Sequence, residues 1–336
     1  MKAQYAAFII FTIIIILLPA PVSAQDSYAG LPDDQILAYP EPAVTQLELD
    51  YGLLNQYAYR RVLEAAEIYS APDGEILETL DPGYNFVSIW QIEDGWAQIG
   101  VNRWVQEDKL SDVIYPSGFR GVLLPEGAPP YTIAWMLVNI HGSKIPGHVG
   151  DENNPRLSRY QLVNIYSTVE VDGWRWYQVG IDQWVKQTNV AKILSVSPPD
   201  GINTQRWVSI DLYEQVAVAY DGGRPVFATL VSSGLPEWST REGVFNIWLN
   251  QDRTEMSGSE GQPDFYYLED VPWTMYFDHA IALHGTYWHN SFGWRHSHGC
   301  VNLSIIDAHW LYEWLAPEWN GDQGASVYVY TSDRYQ

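Results

Sequence analysis

Six of the eight histidines, His279, His284, His289, His296, His298 and His309, lie within 279–309, around the chain's single cysteine, Cys300. The stretch HGTYWHNSFGWRHSHGC runs from His284 to that thiol. A thiol of ordinary pKa is mostly protonated at neutral pH and attacks carbonyls only as thiolate. A working cysteine therefore needs a base, a group to orient the base, and N–H donors aimed at the developing oxyanion. His284 closes the apolar run Ala280-Ile281-Ala282-Leu283 and precedes Gly285, a strand end where a base is well fixed. His298 lies two residues from Cys300, and Gly299 lets backbone approach a substrate closely. A helix expected to begin near Ser304 would bring the positive end of its dipole towards the thiol. Two plainer readings compete. A lone cysteine makes no internal disulfide and is commonly a buried small hydrophobe. His284, His289, His296, His298 and Cys300 would also satisfy zinc, but their spacing matches no strong zinc signature, and no metal is expected.

The elements that must position these residues are mostly strands. RWVSIDLYEQVAVAY, from 206, places Val208, Ile210 and Leu212 on one face, with Val216 and Val218 in the next strand. RPVFATLVSSG, GVFNIWLN and the terminal ASVYVYT read as further strands, and the chain is mainly β. One convincing helix follows the cysteine: Ile305, Ala308, Trp310, Leu311, Trp314 and Leu315 share a stripe, and Ser304 with Asp307 has capping-box spacing. Upstream lies a weak repeat. In DGWAQIGVNRWV (94–105) and DGWRWYQVGIDQWV (172–185), Gln98 matches Gln178, Gly100 matches Gly180, and Trp104-Val105 matches Trp184-Val185. Turn, strand, tight turn and strand ending in Trp-Val resemble bacterial SH3-like domains, with the second copy more divergent. Residues 25–55, polar and acidic with Pro32, Pro40 and Pro42, read as an extended stem, and SVSPPDGIN at 195–203 as a linker.

The chain has 336 residues, 46% hydrophobic, with 16 Trp and 23 Tyr, a content that argues for packed domains and against disorder. A formal charge of −23 sets aside nucleic acid and anionic membrane surfaces as partners. At the N-terminus a Lys precedes an apolar run, Phe8 to Leu18, too short to span a bilayer, followed by the small residues Val22-Ser23-Ala24. This is the layout of a secretory signal over 1–24, and an extracytoplasmic protein is expected; the competing reading is an uncleaved anchor.

IALHGT, a spacer and SHGCVNLS together resemble the motif of the L,D-transpeptidases, the YkuD-like family of cell-wall cross-linking enzymes. VSIDLYEQVAVAY resembles that family's opening hairpin, and TLVSSG with STREGVFNI its next segment. The resemblance covers roughly 205–331 and implies a β-sandwich with a short helix after the cysteine. The expected order is signal (1–24), stem (25–55), SH3-like module (56–115), divergent SH3-like module (128–194) and catalytic domain (205–331). By resemblance Cys300 is the nucleophile, His284 its base, and the carbonyl of Gly285 orients the ring. The backbone N–H groups of His298, Gly299 and Cys300 form the oxyanion hole, while Ser297 and His298 shape the loop. Two positions depart from the commoner pattern: Asn302 stands where many members have Arg, and Thr240-Arg241-Glu242-Gly243 where many have Thr-Pro-x-Gly. Asn302, Thr286, Trp288 and Arg295 are the candidate substrate contacts. Trp294 is a candidate for glycan stacking.

The implied reaction joins peptidoglycan stems. Cys300 attacks the carbonyl of the third residue of a tetrapeptide stem, the terminal D-residue leaves, and a neighbouring stem's amine resolves the thioester into a 3-3 cross-link. No cofactor is required. The partners are donor and acceptor stem peptides, with glycan or wall peptide on the SH3-like modules. Carbapenem-type β-lactams are expected covalent inhibitors. Water as acceptor would make the same site an L,D-carboxypeptidase. Among other thiol peptidases, NlpC/P60 enzymes place cysteine before histidine, and sortases separate the pair widely. A non-catalytic wall-binding protein leaves the Cys–His spacing unexplained.

Overall fold

The structure, a computed structural model, describes residues 30–333; the signal reading of 1–24 lies outside them. Two sheets pack face to face at the C-terminal end of the chain. One is seven-stranded, in the order Thr45–Gln46, Val122–Leu123, Arg224–Leu230, Val216–Asp221, Arg206–Asp211, Ser326–Tyr330, Gly243–Asn246. The other runs Ala58–Arg61, Tyr84–Ile89, Tyr266–Asp278, Ile281–Gly285, Val301–Leu303, with Leu249–Gly258 also paired to Tyr266–Asp278. Their facing side chains, among them Val208, Ile210, Ala217, Ala219, Phe227, Met275, Phe277, Leu283 and Val301, close one core with Ala308 and Leu311 of the helix Ile305–Leu315. The period-two reading of the first hairpin holds: Val208, Ile210 and Leu212 all enter this core. The other face is buried as well, because Trp207, Val216, Val218 and Tyr220 pack against Phe119, Trp135 and Leu137.

The repeat is structural. Asp94-Gly95 and Asp172-Gly173 both sit at positive φ in two-residue hairpin turns, the conformation such turns require. Gln98 faces Trp104, Gly100 faces Arg103, and a register shift lies between; Gln178, Trp184, Gly180 and Gln183 repeat the arrangement with the same shift. Asn102 and Asp182 take up positive φ at corresponding tight turns, and a single 3-10 turn follows each copy, at Glu107–Lys109 and Gln187–Asn189. Each copy encloses its own small core, around Ile68, Val87, Ala97 and Val105 in one and Ala134, Val163, Tyr177 and Val185 in the other.

Two differences from the sequence reading concern what these units touch. Residues 30–55 are not simply an extended stem: Asp33–Ala38 and Tyr51–Leu54 are short helices, and Thr45–Gln46 pairs with Val122–Leu123 at the edge of the seven-stranded sheet. Asp50 caps the second helix by accepting the Leu53 N–H at 3.0 Å, and Leu54 is buried beside Tyr287 and Ile306. Leu54 enters a neighbouring core, with Leu47, Leu49 and Leu53 packed against it, while Leu37, Tyr39 and Tyr51 stay exposed. Second, the first repeat unit is not separated from the C-terminal sandwich. Tyr84, Asn85 and Phe86 pair in parallel with Tyr266, Tyr267 and Leu268, so one sheet runs through both. The joint is polar as well as apolar: the Ser88 N–H donates to buried Glu269 at 3.1 Å, and Arg103 lies 3.6 Å from the same carboxylate.

Candidate active site

Ile281–Gly285 lies inside its sheet, antiparallel to Tyr266–Asp278 and parallel to Val301–Leu303, with His284 opposite Asn302. Cys300 is the residue before Val301, so sheet pairing brings thiol and histidine together at one strand end. The Sγ of Cys300 accepts the Ala282 N–H at 3.4 Å and lies 3.8 Å from the Ala280 carbonyl oxygen. His284 is only 2% exposed, and its Nδ1 sits 3.1 Å from the Gly285 carbonyl oxygen. A carbonyl only accepts, so Nδ1 carries the proton and Nε2 is left as the basic atom. Burial lowers the His284 pKa to about 4 and raises the Cys300 thiol to about 11. The resting pair at neutral pH is therefore a thiol beside a neutral imidazole.

The turn before the cysteine is held from several sides. Gly299 has φ +122°, and a Cβ there would meet the Cδ1 of Ile281 at 2.5 Å, so both conformation and space demand glycine. The Thr240 hydroxyl donates to the Gly299 carbonyl at 2.7 Å while accepting the Gly234 N–H at 3.0 Å. The Ser297 hydroxyl donates to the Cys300 carbonyl and accepts the Gly299 N–H at 3.1 Å. Ser297 thus shapes the loop by fixing its backbone. It also occupies the Gly299 amide, one of the three donors the sequence suggested for an oxyanion hole; the amides of His298 and Cys300 have no protein partner among the described residues. The helix does not begin directly after the thiol. Strand Val301–Leu303 intervenes before the N-cap Ser304, which accepts the Asp307 N–H, and burial sets the thiol's pKa upward.

Cys300, His284, Ser297, His298, Trp288 and Asn302 line one cavity of about 660 Å³. Trp288 is nearly buried, its ring 5.7 Å from that of His284. The His298 ring lies tilted against those of Trp238 (4.2 Å) and Tyr266 (5.1 Å) and is 3.3 Å from Asp264. Asn302 reaches His289, whose Nε2 is 2.8 Å from its side-chain amide and whose Nδ1 accepts the Ser291 N–H. Burial drives the His289 pKa down to about 2. Two candidate contacts do not reach the cavity. Arg295 spends its guanidinium on the carbonyls of Gly234 and Leu212, at 3.1 and 3.2 Å, bracing the loop. Thr286 is fully buried with its hydroxyl unpartnered. Trp294 is 42% exposed and is not among the cavity's lining residues. Among the described residues, no group of three or more His, Cys, Asp or Glu is arranged to hold a metal.

Sequence reasoning missed the opposite wall. Arg61, Gly83 and Tyr84 come from the first repeat unit, and Met256 with Pro263–Tyr266 from the hairpin joining Leu249–Gly258 to Tyr266–Asp278. No local signal marks them, since what puts them there is pairing between distant strands.

Residues 205–329 match the family described as YkuD, the L,D-transpeptidase catalytic domain. A curated relative, a putative L,D-transpeptidase YciB of Bacillus subtilis, is 28% identical over 134 residues, 34% of this chain and 63% of the relative, so less than two thirds of that protein is spanned. Among solved structures, an L,D-transpeptidase of Stackebrandtia nassauensis is 28% identical, covers 40% of this chain and 60% of its own, and superposes with a TM-score of 0.29. The catalytic domain of the Enterococcus faecium L,D-transpeptidase is 24% identical, covers 38% and 99%, and gives 0.32.

Proposed function

We propose that this chain, which carries an L,D-transpeptidase catalytic domain over residues 205–329, forms 3-3 cross-links between peptidoglycan stem peptides through a thioester on Cys300. The observation that carries the reading is the shared cavity of Cys300 and His284, with the Nδ1 of His284 held by the Gly285 carbonyl. As the thiol attacks the carbonyl carbon of the donor's third residue, its proton passes to Nε2 of His284. The free amides of His298 and Cys300 are the donors suited to the tetrahedral oxyanion. Collapse breaks the peptide bond, and the departing amine of the terminal D-residue takes the proton back from His284. An acceptor amine then attacks the thioester carbonyl, gives up a proton through His284, and returns the thiol.

A neutral thiol and a neutral imidazole favour proton transfer concerted with attack over a preformed ion pair. Two pH consequences follow. His284 is basic only when unprotonated, so turnover should persist in acid until about pH 4, below the ordinary histidine range. Alkylation of Cys300 by iodoacetamide should still be rising at about pH 10, beyond where an ordinary thiol has levelled off.

Export by the segment 1–24 would place the chain at its substrate, and the two repeat units, read as SH3-like modules, would bind glycan or wall peptide. The test is mass spectrometry of products from purified full-length protein and tetrapeptide-bearing muropeptides. A cross-linked dimer with loss of the terminal residue is expected; a trimmed monomer alone would identify a carboxypeptidase. A carbapenem should add its mass to the peptide containing Cys300. Cys300→Ala should abolish both events, and His284→Ala should slow acylation by ~10²–10⁴. Turnover surviving in Cys300→Ala would overturn the thiol mechanism.

A further inference from the structure

The cavity around Cys300 is walled on one side by a unit outside the matched catalytic domain. Arg61 ends the strand Ala58–Arg61, and Tyr84 begins Tyr84–Ile89, whose residues pair with Tyr266–Leu268. Arg61 is the cavity's one arginine or lysine. Its guanidinium lies 5.7 Å from the Tyr84 ring and 5.9 Å from that of Phe86, so the aromatic pair supports it from below. No carboxylate comes within ion-pairing distance of it among the described residues, although the chain carries 41 acidic residues against 18 basic ones. Its neighbour Arg60 pairs with Glu107 and Arg103 with Glu78, and Arg241 is held by Asp278. Its backbone is fixed: the Arg61 N–H donates to Ser111 at 2.9 Å, and its carbonyl accepts the Ser111 N–H. The cavity's one carboxylate, Asp264, is already engaged by the Ser259 hydroxyl at 2.8 Å and by His298. The site thus combines the Cys300 thiol with a single guanidinium that has no carboxylate partner, carried on a backbone held by Ser111.

We infer that Arg61, contributed by the first repeat unit, holds a carboxylate of the donor stem peptide and thereby positions the reacting carbonyl at Cys300. The inference rests on the stem-peptide reading above. A planar guanidinium grips a carboxylate through two parallel N–H donors, and one without an acidic partner is open to an anionic ligand. The first repeat unit then belongs to the donor subsite, in addition to any wall binding by its outer surface.

The test is equilibrium binding to full-length Cys300→Ser protein, in which acylation does not consume the ligand. The ligands are a synthetic tetrapeptide stem with free carboxylates and the same peptide with its carboxylates converted to amides. Arg61→Met keeps the apolar stem over Tyr84 and Phe86 and removes only the charge. It is expected to weaken binding of the free acid by roughly 10- to 100-fold and to leave the amide peptide unchanged. Arg61→Lys should recover part of the loss. Equal affinity of the Arg61→Met and parent proteins for the free acid would overturn the assignment, as would an equal loss for acid and amide. Turnover of muropeptides by wild-type protein reports separately on the function. A wild type that cross-links while Arg61→Met binds the free acid unchanged refutes the Arg61 role alone. Binding of neither peptide refutes the Arg61 role, and a wild type that also forms no cross-link refutes the function as well.

Discussion

The two repeat units share a turn, a bulge and a Trp-Val strand end, yet meet the catalytic domain in opposite ways. The first joins the sheet that carries His284, through strand pairing at Tyr84–Phe86 and a core in which Tyr59 and Phe86 pack with Tyr287 and Trp288. The second joins no strand of either large sheet; it lies on the outer face of the seven-stranded sheet, where Trp135 and Leu137 meet Trp207, Tyr220 and Phe292. Both interfaces bury aromatic side chains of similar size. Only the first packs on Tyr287 and Trp288, just after strand Ile281–Gly285, and of the two only the first puts residues into the cavity. A duplicated module therefore acquires its role from which surface of its neighbour it covers, not from its own sequence pattern.

That contrast is broken most directly by truncating one aromatic anchor in each interface. Tyr59 stacks on Tyr287 with centroids 3.6 Å apart, and Trp135 is wholly buried. Tyr59→Ala and Trp135→Ala should each cost about 3–5 kcal/mol of stability, read as a lowered denaturant midpoint. Only Tyr59→Ala should also reduce kcat/KM of the folded protein. Equal loss of activity in both would show that the second unit supports the site too.

A smaller effect is expected at the polar joint of the first unit. Burial raises the Glu269 pKa to about 8, against the opposing pull of the Ser88 N–H and Arg103. With its folded pKa above the unfolded one, Glu269 binds its proton more readily in the folded state. Its linkage contribution is present below the ordinary carboxylate range and is lost as pH rises towards about 8. Glu269→Gln should therefore flatten the decline of stability between about pH 5 and pH 8. An unchanged pH profile would count against a titrating carboxyl at the joint. Arg103→Met should cost about 1–3 kcal/mol, since Arg103 also donates to the Tyr267 hydroxyl at 3.0 Å.

The smallest effect belongs to the second unit's polar contact. Arg159 and Tyr160 both reach the Asn290 carbonyl, next to His289. Arg159→Ala should change stability by about 1 kcal/mol or less and leave kcat/KM unaltered. A clear loss of turnover would show that the second unit reaches the site through the 289–292 segment.

What the sequence alone determined is local or sits in a motif. The Asp-Gly turns, the Gln-x-Gly bulges and the Ser304 cap are each specified by residues a few positions apart, whose backbone geometry and hydrogen bonds need no distant partner. The spacing from His284 to Cys300 named the candidate pair for the same reason: chemistry restricts which side chains can be nucleophile and base. Tertiary structure decided which surfaces those local units would cover. The acidic 30–55 segment reads as a stem because its few leucines show no period, and only neighbouring cores give Leu54 a place to be buried. Arg295 reads as a candidate substrate contact until two carbonyls take its guanidinium, and the Gly299 amide reads as an oxyanion donor until Ser297 takes it. Arg61 and Tyr84 have no motif at all. They face Cys300 because strand Tyr84–Ile89 pairs with Tyr266–Asp278, and backbone hydrogen bonds between strands are nearly indifferent to side-chain identity, so the choice of partner leaves little trace in either stretch of sequence.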